Sequence, residues 1–144
     1  MKLHIILLMG LLSFKSFAFC FDNAGAYYDV NPQLLKAIAT VESSLNANAV
    51  NESENSLGLM QIHPQWFSRL HKFDITPGQL LSEPCINVNV GAWILAWNFN
   101  THGKNWNSIG AYNAGFSKSE RAQANRKIYI QKVKIALRAL QLKK

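Results

Sequence analysis

From Asn31 to Leu45 the residues spell out one helix, including its start, its phase and its buried side. Asn31 is an N-cap residue and Pro32 suits the first helical position, where a missing N–H costs nothing. Leu34, Leu35, Ile38, Val41 and Leu45 then recur at spacings of three and four, so one stripe of the helix belongs to a core. The predicted span is about 32–44. Glu42 lies four residues from Ile38 and seven from Leu35, on or beside that apolar stripe. Position alone leaves two readings open. Glu42 is either a solvated last-turn residue or a carboxyl held beside the core, where low polarity disfavours its charged form and raises its pKa towards that of a general acid.

The rest of the chain repeats the helical pattern. Residues 46–56 are rich in Asn, Ser and Glu and read as a loop or a short irregular strand, and the brief apolar run Gly58 to Ile62 stops at Pro64. A short helix is predicted from Pro64 with Trp66, Phe67 and Leu70, and a second from Thr76-Pro77 to about Leu81. The longest middle helix is predicted over about 85–101, with Ile86, Val90, Trp93, Ile94 and Trp97 on its buried side and Gly103 at its end. Another runs over about 106–115. The last covers about 119–140 and places Tyr129, Val133, Ala136 and Leu140 on one face, with basic residues over much of the rest. Little reads as strand, so the fold class is mainly α, and 144 residues suit one domain with a substantial core.

The first residues stand apart. Met1-Lys2 opens a basic segment, Ile5 to Leu12 with Phe14 forms a short apolar run, and Ser16-Phe17-Ala18 offers small residues where a signal peptidase cuts. Residues 1–18 are therefore predicted to be a cleavable signal peptide leading to the periplasm, and residues 19–144 the domain. The bulky Phe19 before Cys20 argues against lipid attachment. Loss of Lys2 and Lys15 takes the formal charge from +7 to +5, a balance that favours an anionic partner without choosing one. Export also makes a Cys20 to Cys85 disulfide the default expectation. The four histidines are scattered, so no metal and no cofactor are expected.

Several chemistries drop out. The chain has no Gly-rich phosphate loop, no Cys-x-x-Cys, no His-Glu-x-x-His and no Gly-x-Ser-x-Gly. What remains is a carboxyl at a helix end with amide, hydroxyl and aromatic groups downstream, the groups that handle sugars. Glycoside cleavage needs a proton for the leaving oxygen and a stabiliser for the cation at the anomeric carbon. Glu42 can supply the first; Glu52 and Glu54 are the neighbouring carboxylates for the second, and both also read as solvated loop charges.

Glu42-Ser43, Gly58-Leu59-Met60-Gln61, Ala111-Tyr112-Asn113-Ala114-Gly115 and Tyr129-Ile130 with Val133 resemble, in order, the motifs of the soluble lytic transglycosylase family, whose catalytic domain is goose-lysozyme-like. The likeness covers about 27–133. Small size, a leader and two cysteines further resemble the specialised members that accompany conjugation, type IV and type III secretion machines. The resemblance implies peptidoglycan glycan strands as substrate, with Glu42 as the catalytic residue acting first as acid and then as base. It implies that the substrate's own N-acetyl group stabilises the cation and that the muramic acid C6 hydroxyl, not water, attacks. Ser43, Met60, Gln61, Tyr112, Asn113 and Tyr129 would bind substrate, with the Met60 thioether on a sugar face, the Gln61 amide on ring substituents and Tyr129 close to the Glu42 carboxyl. The chain is expected to act as a monomer and not to bind nucleic acid. Three positions depart from the family pattern: Asn51 replaces a serine, Asn125 a glutamate and Ser56 an aspartate found in some secretion-associated members. Two alternatives remain, a water-using muramidase of the same fold and a non-catalytic wall-binding adaptor docking through its basic last helix.

Overall fold

The computed structural model describes residues 19–143; the predicted signal peptide lies outside them. Among the described residues the order is α1 (Phe21–Tyr28), α2 (Pro32–Ser43), a hairpin of β1 (Val50–Asn51) and β2 (Ser56–Leu57), α3 (Phe67–Leu70), α4 (Pro77–Ser82), α5 (Pro84–His102), α6 (Trp106–Ala114) and α7 (Glu120–Gln141). Short 3-10 turns flank α3 at Pro64–Trp66 and His71–Phe73. The start signals act as their chemistry requires. The Asn31 side chain accepts from the Gln33 N–H at 2.8 Å, and Thr76 with Gln79 forms a reciprocal capping box at the head of α4.

Helix α5 is the axis of the molecule. It buries residues around much of its circumference, Val88, Val90, Ala92, Ile94 and Leu95 among them, and α1, α2, α4 and α6 pack on it. Helix α7 lies across α2 and α6, closing the core with Tyr129 and Val133. Leu35, Ile38, Leu59, Ile62, Leu80, Leu95 and Val133 are fully buried. Each contributes roughly 1.5–3 kcal/mol relative to an exposed side chain.

Two features go beyond or against the sequence pattern. The segment after Cys20, which the sequence pattern assigns to no element, forms α1. Its cap residue makes no side-chain bond, and the helix is held instead by burial of Phe21, Ala24 and Gly25 and by its contact with α5. Trp97, placed on the buried side of the middle helix, is 42% exposed. It sits at the edge of the buried arc, meets Trp93 edge-on and carries the Arg69 guanidinium 4.6 Å above its ring.

Cys20 and Cys85 are disulfide-bonded, with Cα atoms 5.3 Å apart, and join the head of α1 to the head of α5. The bridge spans 65 residues of sequence, for which chain entropy predicts about 4 kcal/mol of stabilisation. Urea unfolding of the Cys20→Ser, Cys85→Ser double variant is expected to show a loss of that order, and the wild type under strong reductant should approach it.

Candidate active site

Glu42 sits in the last turn of α2, which ends at Ser44 in the left-handed conformation. That turn faces α7, and the Tyr129 hydroxyl donates to Glu42 Oε1 at 2.6 Å across 87 residues of sequence. Burial raises the Glu42 pKa from an ordinary 4.5 to about 7. The Tyr129 bond opposes the shift, the Glu54 charge adds to it, and Lys132 works against it. Tyr112 and Tyr129 are themselves pushed well above the ordinary phenol value, first by burial and then by Glu42, so both remain protonated donors.

A cleft passes over Glu42 in two limbs that share Glu42 and Asn113. The smaller limb, about 250 Å³, is walled by Val41, Asn125, Ile128, Tyr129 and Lys132. The larger, about 330 Å³, runs past Tyr112, Glu54, Ser56, Gln65, Trp66 and Gly115. A larger concavity of about 540 Å³ lies elsewhere, along α1 and α5, but its walls are mainly apolar and include no carboxyl. The acid chemistry belongs to the two limbs meeting at Glu42. Among the described residues no three His, Cys, Asp or Glu side chains gather within reach of a metal ion.

The motif residues divide into those that face the cleft and those that build it. Tyr112, Asn113 and Tyr129 line it with Glu42. Ser43, Met60 and Gln61 do not line these two limbs; full burial of Met60 corrects the sugar-face role expected of its thioether, while Ser43 and Gln61 are half-buried and bond to backbone carbonyls. Met60 is fully buried, and a Cβ on Gly91 would come within 2.5 Å of its sulfur, so the thioether packs against the bare backbone of α5 and not against a sugar. Its carbonyl accepts from the Tyr112 hydroxyl at 2.8 Å. Gln61 takes a left-handed φ of 47° and donates its amide to the Gly58 and Ala49 carbonyls, fastening the turn to the hairpin. Ser43 Oγ lies 2.8 Å from the Leu59 carbonyl and 3.1 Å from that of Ala39, which locks the end of α2 to the same turn.

Sequence reasoning missed two supports. Asn87 of α5 is fully buried; its Oδ1 accepts from the Met60 N–H at 2.8 Å, and its Nδ2 donates to the Leu57 and Leu80 carbonyls at 2.8 and 2.9 Å. Gly58 has φ +76° and lies so close to Asn87 that a Cβ would overlap the amide. Arg126 of α7 donates from Nη1 to the Gly115 and Ser117 carbonyls, fixing the end of α6 where Asn113 enters the cleft. A polar residue at an apolar phase of α5 was the readable sign of Asn87. Of the departures from the family pattern, Ser56 and Asn125 each line one limb, whereas Asn51 turns to the hairpin, where it holds Ser53 and approaches Glu54. Glu54, one of the two nearby carboxylates, stands in the larger limb.

Helices packed round α5, with one buried carboxyl where two polar limbs meet, define a lysozyme-like domain. The Transglycosylase SLT domain family matches residues 19–135, and the chain belongs to that family. It is 42% identical over 117 residues to the "X polypeptide" of Escherichia coli, covering 79% of this chain and 69% of that one. It is 35% identical over 147 residues to protein IpgF of Shigella flexneri, covering 98% and 97%. Invasion protein IagB of Salmonella typhimurium (strain SL1344) is 37% identical over 137 residues, covering 92% of this chain and 84% of that one. The fold superposes on an inactive mutant of the lytic transglycosylase Slt from Pseudomonas aeruginosa with a TM-score of 0.68 at 20% identity. That match covers 85% of this chain and only 23% of the larger protein.

Proposed function

We propose that this domain cleaves the β-1,4 bond between N-acetylmuramic acid and N-acetylglucosamine in peptidoglycan and leaves a 1,6-anhydromuramoyl end. The observation that carries the reading is Glu42, a carboxyl with a pKa near 7 at the junction of two polar limbs. Protonated, it gives its proton to the glycosidic oxygen as the bond to the anomeric carbon breaks. The departing sugar keeps that proton. The carboxylate left behind takes the proton of the muramic C6 hydroxyl as that oxygen closes on the anomeric carbon, so no water is consumed and the acid is restored. The substrate's N-acetyl carbonyl stabilises the intervening cation, and Asn113 and the Tyr112 edge stand where a bound sugar would meet them. Tyr129 holds the carboxyl in place for both transfers.

A second reading has one observation in its favour. Glu54 shares the larger limb with Glu42 and raises its pKa, the placement a second carboxylate would need in a water-using muramidase. Mass spectrometry of digested sacculi separates the two. Anhydromuropeptides are the expected product, and reducing muramic acid ends as the main product would overturn the transglycosylase reading. We further propose export to the periplasm through residues 1–18 and local opening of the wall for a secretion or conjugation apparatus, supported by the likeness to an invasion protein.

A further inference from the structure

The outer face of α7, continued by its C-cap Leu142, carries an apolar row that takes no part in the hydrophobic core of the described residues. Ile128, Ile135 and Leu142 recur every seven residues and are 57%, 66% and 88% exposed. A single exposed isoleucine needs no explanation. Three in line are different: at 1.5 Å per residue they form a seam of about 21 Å, on the side of α7 away from buried Val133 and Tyr129. Lys132 and Lys143 flank the seam on one side, Lys127 and Arg138 on the other, and no acidic residue follows Glu120 in the chain.

We propose that this face docks an amphipathic helix of a partner protein, one with apolar residues at heptad spacing bordered by glutamates or aspartates. The sevenfold period favours a facing helix, because such a row keeps one seam towards a partner while charged flanks select the partner by sign. An anionic membrane surface shares the charge preference but fits the shape less well. At 100° per residue the three side chains drift only about 40° round the helix, against the arc of 100° or more of an amphipathic face, and the row holds no aromatic side chain. The seam is also continuous with the Glu42 cleft, since Ile128 and Lys132 wall its smaller limb. A helix seated along the whole row therefore has its Ile128 end beside the cleft mouth. Docking is independent of the catalytic reading.

The probe is a fluorescein-labelled synthetic helix of 21 residues with leucines at heptad spacing and glutamates beside them. Its control carries lysines in place of the glutamates, and vesicles of phosphatidylcholine with about 30% phosphatidylglycerol represent a membrane. Anisotropy is expected to show saturable binding of the acidic peptide and none of the basic one. Ile135→Asp and Leu142→Asp should each weaken binding tenfold or more, with circular dichroism unchanged because both side chains already lie in solvent. Glu42→Gln should bind as the wild type does, which separates failure of this proposal from failure of the enzymatic one. Equal binding by all variants, no binding of the acidic peptide, or vesicle binding lost in the two aspartate variants while the peptide stays free would each overturn it.

Discussion

Glu42→Gln is expected to lower the rate of glycan-strand cleavage by about 10² to 10⁴ while leaving the fold intact. The amide has the size of the carboxyl and can still accept the Tyr129 hydroxyl bond, so the end of α2 keeps its place against α7. It has no acidic proton to give. In the wild type the pKa near 7 sets the pH profile. Below that value the acid is protonated and can act; above it the protonated fraction, and with it the first step, falls tenfold per unit. The same shift affects stability. Between 4.5 and about 7 the folded chain holds a proton that the unfolded chain releases, so folding weakens as pH rises through that window. Glutamine removes the effect. Above pH 7 the variant should therefore be the more stable protein, by up to about 3 kcal/mol. Chemical unfolding at pH 5 and pH 8 beside a muropeptide assay would measure both. An inactive variant that is also destabilised at pH 8 would sink this account of Glu42.

How much of this was legible in the sequence differs by residue. The caps at Asn31 and Thr76 and the apolar spacing of α2 and α5 act locally, so their helices lie within a residue or two of expectation. Helix α1 was not legible, because its strongest support is the α5 surface some 65 residues away and not a local signal. The phase of α2 put Glu42 beside the core, but its degree of burial depends on Tyr129 of α7, which no local reading of α2 contains. Met60 and Gln61 show the limit of motifs. Their presence in the ordered pattern located the turn, yet the pattern does not say which atoms face the cleft. Backbone geometry decides that, with Gln61 in a left-handed conformation and Met60 directed at Gly91.

The largest structural effect is expected at Asn87, which touches none of the cleft yet decides whether it exists. Asn87→Ala removes one acceptor and one two-proton donor from a site with no solvent access, stranding the Met60 N–H and the Leu80 carbonyl and leaving the Leu57 carbonyl with the Ile62 N–H alone. Each stranded group costs roughly 1–3 kcal/mol, and partial rearrangement of the turn should bring the sum to about 3–5 kcal/mol, or a melting point lower by roughly 10 °C. Asn87→Asp sharpens the test. A carboxylate can still accept from Met60 but cannot donate, and it would face two carbonyl oxygens at under 3 Å. If the bond to Met60 were the one that mattered, aspartate would rescue; if bridging the Leu57 and Leu80 carbonyls matters, aspartate should be at least as damaging as alanine. The second outcome is expected, because burial adds the cost of an unpaired charge to the lost donors. Activity should fall further than stability alone accounts for. The turn that Asn87 holds also receives Ser43 from α2 and Tyr112 from α6, so a loosened Gly58 to Ile62 segment frees Glu42 and one wall of the larger limb together. Unfolding curves and muropeptide release measured well below the melting point would separate that local loosening from global unfolding.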